Sequence, residues 1–261
     1  MKIRTGTLRE YKEQGKRFAC LTSYDQQTAE IFDEAGIELI LVGDSASNTV
    51  LANDTTIPVT LEEMIPFGRA VARSAKNALV IFDMPFGSYE LGADQALKNA
   101  LQVMKQTAVA GVKIEGTRLD QIKKLVENGI PVMGHVGFTP QTVHGLSGYK
   151  VQGRDTDADR VFDEAKAIQE AGAFAIVLEM VPAELAMRIT QELKIPTIGI
   201  GAGNETDAQI LVWTDFAGLG KKSPSFSRSY LSLRESLLGA AKAYSTDVKT
   251  GNFPSKEESF N

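Results

Sequence analysis

Five apolar, strand-like runs of this chain each end on a carboxylate: LTSYD at Asp25, ELILVGD at Asp44, ALVIFD at Asp83, GVKIE at Glu115 and AFAIVLE at Glu179. A sixth run, PVMGH, ends on His135. A buried ionised carboxylate is costly unless it is paired or binds a cation, so acids at the ends of buried strands need a reason. Asp44, Asp83 and Glu115 together form an oxygen-only donor set, which suits Mg²⁺ completed by water and a chelating ligand. Taken singly, each aspartate could equally cap a following helix or pair with a lysine. One cysteine and two histidines are too few for the usual zinc patterns.

Glu179 lies in VLEM between hydrophobic neighbours. If it faces the same mouth it is placed for proton abstraction; the alternative is a salt-bridged structural carboxylate. Lys113 and Glu115 are two apart in VKIEG and share one face of their strand. A lysine there either holds a substrate carboxylate or neutralises its acidic neighbours. His135 ends a strand and His144 lies in a long loop, so His135 is the better candidate for substrate contact, against the ordinary role of a satisfied structural histidine. The late glycines of TIGIGAGNETD do not match the G-x-G-x-x-G spacing of dinucleotide sites. They are open to three readings: a phosphate site at a strand end, a close approach to a flat ligand, or a turn.

The elements that would carry these groups repeat with a short period. A helix-like stretch ends on a small residue plus Gly, and an apolar run follows, as in EAGIELILVGD and EAGAFAIVLEM. Gly36, Gly111, Gly129 and Gly172 fit the left-handed residue that closes a helix. Leu97, Leu101, Met104 and Ala108 are predicted to share one helical face, as are Leu119, Ile122 and Leu125. Thr60 and Glu63 form a capping box opening the next helix. Strands are predicted at 18 to 25, 38 to 44, 78 to 83, 111 to 115, 131 to 136, 173 to 179 and 196 to 201, with an eighth near 216 to 219. They read as continuous apolar runs, which marks strands buried on both faces. Eight alternations predict one α/β domain over residues 1–261, a (β/α)8 TIM barrel with a short N-terminal helical segment and a polar tail after about Tyr244. The active site of such a barrel lies at the C-terminal ends of its strands. The long connections after the second and fifth strands leave that face, as a lid or binding loop would.

The 261 residues are 43% hydrophobic with a net charge of -5, and the sequence pI is about 5.3. That balance gives no electrostatic reason to expect nucleic acid or an anionic membrane. No apolar run approaches the roughly 18 residues of a transmembrane helix. The single Cys20 is predicted to be a small core residue in a reducing compartment. The start, MKIRTGTLREYKEQG, lacks the apolar centre of a secretory signal, so a cytoplasmic protein is expected.

The segments VGDS, TTIPVT, DMPF, VKIEG, GHVGFTPQ, GYKVQGR, VLEMVP and IPTIGIGAGN, in this order and at these distances, closely resemble the ketopantoate hydroxymethyltransferase family from about Arg9 to FPSKEESF. The resemblance implies a cytoplasmic, Mg²⁺-dependent barrel enzyme, commonly a homodecamer, with 5,10-methylenetetrahydrofolate as one-carbon donor. The implied reaction converts 3-methyl-2-oxobutanoate, a 2-oxo acid, to ketopantoate through a Mg²⁺-stabilised enolate in pantothenate synthesis. By matching motif, Asp44 and Asp83 are the metal-binding aspartates that also face the substrate, and Glu115 is a further metal-site acid. Ser45 and Lys113 match the keto-acid-binding pair, Glu179 the general base, and His135 the histidine beside the substrate. Ala208, Thr214 and Ser225 stand where the family usually has Gly, His and a basic residue, departures that bear on folate contacts or subunit packing. Asp25 has no assigned role. Two other readings share the acid-rich barrel. One is an enolate enzyme of the phosphoenolpyruvate mutase and isocitrate lyase kind, although the lyases' thiol loop has no counterpart here. The other is a barrel that binds without catalysis, against which the retention of every motif acid argues.

Overall fold

The computed structural model describes residues 2–260. By contacts the chain divides into two units, the first ending at Val212 and the second beginning at Trp213. Within the first, α1 (Thr5–Glu13) leads into β1 (Phe18–Thr22), α2 (Gln26–Glu34), β2 (Leu39–Val42), the short α3 (Ala46–Thr49), α4 (Leu61–Ser74) and β3 (Leu79–Asp83). There follow α5 (Ala93–Thr107), β4 (Gly111–Lys113), α6 (Leu119–Glu127), β5 (Val132–Gly137), α7 (Ala158–Glu170), β6 (Ala175–Glu179), α8 (Ala183–Glu192), β7 (Thr197–Ile200) and β8 (Ala208–Leu211). Every neighbouring pair of strands is parallel, and β8 returns to β1 with Phe18 opposite Ala208, so the eight strands close a barrel. The predicted (β/α)8 fold is present.

One parity fills the barrel. Phe18 and Cys20, Leu39 and Leu41, Leu79 and Ile81, Ala175 and Val177, and Ala208 and Ile210 belong to a single buried cluster. Alternate residues of a strand share a face, so the intervening residues, such as Ile40, Val80, Phe82 and Ile176, form the opposite face and are also buried. This double burial explains the unbroken apolar runs. From α1, Leu8 joins the interior cluster with no exposed surface, and Lys12 ties the helix down by donating to Asp207 Oδ2 at 2.7 Å and to Thr190 O at 2.9 Å.

Several local expectations hold. Thr60 and Glu63 make the capping box of α4, Cys20 is buried and free, and Gly36, Gly129 and Gly172 take positive φ of 83°, 79° and 102°. Gly111 does not: Ala108 takes the left-handed position after α5, at φ 68°. The glycine is required for another reason, because a Cβ at 111 would lie 2.5 Å from the Pro131 carbonyl oxygen. The buried face of α5 is one residue away from the predicted stripe. Ala96, Ala100, Val103 and Thr107 are buried while Leu101 is 41% exposed. The side chains turned fully inward are mostly small, while in the neighbouring stripe Leu97 and Met104 are half-buried and Leu101 and Ala108 are exposed.

The eighth strand also differs in place. It is formed by Ala208–Leu211, in which Ala208 and Ile210 are buried and Gln209 is exposed. The apolar 216–219 stretch instead makes helical-turn bonds, with Ala217 N donating to Trp213 O and Leu219 N to Thr214 O. Gly201 and Gly203, at φ 62° and 75°, turn the chain between β7 and β8. In the second unit, α9 (Trp213–Phe216) is followed by α10 (Leu233–Thr250), so the predicted polar tail begins as the end of a helix. No residue of α10 is buried, and Leu237, Leu238, Tyr244 and Val248 are exposed.

Candidate active site

The interior parity that is apolar through the barrel ends on polar groups. Leu79 and Ile81 lead to Asp83, Met133 leads to His135, and Ala175 and Val177 lead to Glu179. Lys113 closes β4, and Glu115 follows two residues later on the same parity. In β2 the parity would place residue 43 inward, and it is a glycine. A Cβ there would sit 2.8 Å from Ser45 Oγ, so its absence lets Ser45 and Asp44 come in after the strand. The polar groups predicted from separate motifs are therefore brought to one end of the barrel.

Their contacts form a continuous network. Lys113 Nζ donates to Asp83 Oδ1 and Oδ2 at 2.7 and 2.8 Å and lies 3.5 Å from Glu115 Oε1. The Asp44 backbone N–H reaches Asp83 Oδ2 at 3.3 Å. His135 Nδ1 is 3.2 Å from Glu115 Oε1. On the other side of the ring, His135 Nε2 lies 3.3 Å from Glu179 Oε2, at an angle outside hydrogen-bond geometry. Asp83, Lys113, Glu115 and His135 are all at most 3% exposed, whereas the Glu179 side chain keeps 16% of its surface.

Burial and charge set the protonation of these groups. Burial pushes the Asp44 carboxyl well above its ordinary range, and the negative charges of Asp83 and Glu115 add to the rise. Asp83 is also raised by burial, against the opposing pull of Lys113. Glu115 goes the other way: burial would raise it, but Lys113 and His135 hold it below the usual value. Burial and the charge of Lys113 work against a charged His135, yet its bond to Glu115 and the neighbouring Glu179 prevail and raise it to about 9. The balance favours the charged imidazole. Lys113 is likewise raised, because the surrounding acids outweigh desolvation.

Three further residues belong to the network and were not singled out from sequence. Gln141, 2% exposed, donates from Nε2 to Asp44 Oδ2 and to Met84 O, both at 3.0 Å, and from its backbone N–H to Glu115 Oε2 at 3.0 Å. Tyr89 donates to Gln141 Oε1 at 2.5 Å and accepts from Glu115 N at 3.2 Å. Tyr24 shares a 2.8 Å hydrogen bond with Ser45 and accepts one from Thr22. The available signal for Gln141 was its position directly after a strand and Thr139-Pro140, where the chain makes a 3-10 turn over Pro140–Thr142. Two motif residues fall outside the network. Asp25 caps α2, accepting from Thr28 N at 2.9 Å and Thr28 Oγ1 at 3.0 Å, and His144 is exposed on the loop. Of the family departures, Ala208 is buried in β8, Thr214 is buried in α9 and Ser225 is exposed.

Among the described residues, no three His, Cys, Asp or Glu side chains converge as a ready-made metal cage. The donors still fit a hard dication of the Mg²⁺ kind, which one or two carboxylates hold while water and substrate complete the shell. Asp44 and Asp83 supply two such carboxylates in a buried site, where burial first and the negative charge of Asp83 second raise Asp44, and a cation would oppose both. Glu115 Oε1 faces His135 and Lys113 and Oε2 accepts from Gln141, and Asp83 likewise gives both oxygens to Lys113, so a cation at Asp83 would share that carboxylate with the lysine.

A sequence profile of ketopantoate hydroxymethyltransferase matches residues 2–256. The chain is 55% identical to the 3-methyl-2-oxobutanoate hydroxymethyltransferase of Leifsonia xyli subsp. xyli, over 99% of this chain and 95% of that protein. It is 52% identical to the enzyme of the same name from Corynebacterium glutamicum, over 99% and 97%. Among solved structures it is similar to phosphonopyruvate hydrolase in complex with oxalate and Mg²⁺, with a TM-score of 0.63 and 13% identity over 98% of this chain and 93% of that one. It is also similar to 2,3-dimethylmalate lyase, of the phosphoenolpyruvate mutase and isocitrate lyase superfamily, with a TM-score of 0.62 and 17% identity over 100% and 93%. These two likenesses concern the fold.

Proposed function

The chain belongs to the ketopantoate hydroxymethyltransferase family, and from that premise we propose how its own residues form ketopantoate from 3-methyl-2-oxobutanoate. The observation that carries the reading is the convergence of Asp44, Asp83, Lys113, His135 and Glu179 at one end of the barrel. Asp44 and Asp83 hold Mg²⁺, while Glu115 acts from behind them by fixing Lys113 and His135. When bound, the ion draws negative charge toward the keto oxygen of the substrate, making the neighbouring C3–H more acidic. The Ser45 hydroxyl and the Lys113 ammonium receive the substrate carboxylate.

Glu179 then takes the C3 proton. Its partial exposure leaves room for the substrate, and the His135 ring lies beside it at 3.3 Å. The electron pair of the C3–H bond becomes the new bond to the methylene carbon of 5,10-methylenetetrahydrofolate as the first of that carbon's two C–N bonds breaks, and the freed nitrogen takes the proton that Glu179 removed. Water then replaces the second nitrogen on that carbon: its oxygen stays as the product hydroxyl, its proton goes to the departing nitrogen, and tetrahydrofolate leaves. The enzyme is read as cytoplasmic, supported by a single buried thiol and by the absence, among the described residues, of a helix long and apolar enough to cross a membrane. It is read as a homo-oligomer, a homodecamer by family resemblance, and the exposed Leu237, Leu238 and Val248 of α10 support a further packing partner.

Exchange of the C3 proton of 3-methyl-2-oxobutanoate in heavy water tests this reading without folate. With Mg²⁺ the wild type is expected to catalyse exchange. A positioned base typically contributes about 10² to 10⁴ in rate, so Glu179→Gln should slow exchange by that factor. Wild-type exchange in Glu179→Gln would remove Glu179 as the base. Failure of the wild type to form ketopantoate from keto acid, methylenetetrahydrofolate and Mg²⁺ would remove the reading as a whole.

A further inference from the structure

We infer that Gln141 is a positioning residue for the divalent-cation site: its side-chain amide, locked by Tyr89, fixes the Asp44 carboxylate in the orientation that binds the ion. The inference rests on the proposed role of Asp44 and Asp83 as cation holders and adds the group that aims one of them.

The hydrogen bonds around Gln141 leave its amide one orientation. Met84 O is a backbone carbonyl and can only accept, so the group 3.0 Å from it must be the NH₂. The two N–H bonds of that NH₂ are then spent on Met84 O and Asp44 Oδ2. The amide oxygen faces Tyr89, whose hydroxyl donates to it while accepting from Glu115 N. Tyr89 is 1% exposed, and the Gln121 amide holds its carbonyl at 3.2 Å. Asp44 Oδ2 is therefore held as an acceptor by a donor that is itself fixed at its far end. Among the described residues no hydrogen bond reaches Asp44 Oδ1, which remains available to a cation.

The same residue links three strand ends to the loop after β5. Its side chain reaches Asp44 after β2 and Met84 after β3, and its backbone N–H reaches Glu115 after β4. A half-satisfied buried network is costly, so the loop residue and the acids favour a single arrangement. Groups that orient a ligating carboxylate from behind typically contribute 10- to 100-fold to metal affinity.

The test is Mn²⁺ binding to the full chain, followed by the electron paramagnetic resonance of the free ion, with Gln141→Met, Tyr89→Phe and Asp44→Asn beside the wild type. Gln141→Met preserves length and removes the amide. Its Mn²⁺ dissociation constant should rise about tenfold, and excess Mn²⁺ should restore much of its turnover, which a purely structural defect would not allow. Tyr89→Phe should weaken binding by a smaller factor, and the double variant by less than the product of the two, because both act through one amide. Mn²⁺ affinity within twofold of wild type in Gln141→Met, with Asp44→Asn unable to bind, would overturn this inference and leave the cation site standing. A wild type that binds no Mn²⁺ would overturn the cation site and the inference together. If Gln141→Met does not fold, Tyr89→Phe decides: an unchanged dissociation constant there counts against the role.

Discussion

Lys113 shows how little freedom the site leaves to a single residue. Its ammonium is buried between Asp83 and Glu115, and those acids hold it charged against the cost of desolvation. Removing one partner of a buried pair leaves an uncompensated charge, which costs about 3 to 5 kcal/mol, more than the net contribution of the intact pair. Lys113→Met is therefore expected to lose stability of that order in urea unfolding. Adding Asp83→Asn should recover part of it, because the stranded carboxylate is gone. A double variant no more stable than Lys113→Met would mean that the loss arises from packing around the lysine stem. Asp25 illustrates the opposite outcome: a strand-end acid with the same sequence signature is fully explained as the cap of α2.

At the scale of elements, the barrel depends on carboxylates that fasten helices to strands far from the site. Asp33, in the last turn of α2, accepts from the backbone N–H groups of Lys76, Asn77 and Ala78 and from the Asn77 side chain, at 2.6 to 3.1 Å. Burial alone would raise its carboxyl, but these donors outweigh it and hold it below its ordinary value. A lowered folded value means that the stabilisation is fully present above the unfolded value of about 3.9 and fades as pH falls through the folded value. Asp33→Ala should cost about 3 kcal/mol, since hydrogen bonds to a charged group contribute roughly 1.5 to 3 kcal/mol each and do not add. Its acid unfolding curve should also be shallower below pH 4; an unchanged curve would assign the acid sensitivity elsewhere. Elements of this kind were only partly legible in the sequence. Seven strands and the capping box of α4 could be read because burial on both faces and side-chain capping leave local signatures. The buried face of α5 and the place of β8 could not, since two adjacent apolar stripes or runs compete and tertiary packing chooses between them. In the site, residues at strand ends were visible and Gln141 was not, because its role depends on partners 57 and 97 positions away.

For the molecule as a whole, the site is a stability liability that its ion would remove. Asp44 and Asp83 sit buried with raised carboxyls, so folding without a cation has to bring two like charges together out of water. An ion that binds only the folded chain stabilises it by RT ln(1 + [L]/Kd), about 2.7 kcal/mol at a hundredfold excess over Kd. In domains of about 150 to 250 residues each kcal/mol moves the midpoint by about 2 to 4 °C, so saturating Mg²⁺ should raise the thermal midpoint by about 5 to 10 °C. Asp44→Asn supplies the decisive comparison. It removes one of the repelling charges, yet its amide oxygen can still accept from Gln141, so the ion-free variant should unfold no earlier than the ion-free wild type. It should also lose the Mg²⁺-dependent rise. Differential scanning calorimetry with and without Mg²⁺ separates the outcomes: an equal rise in both proteins would place the stabilising ion away from Asp44, and no rise in the wild type would deny that the buried acids hold Mg²⁺.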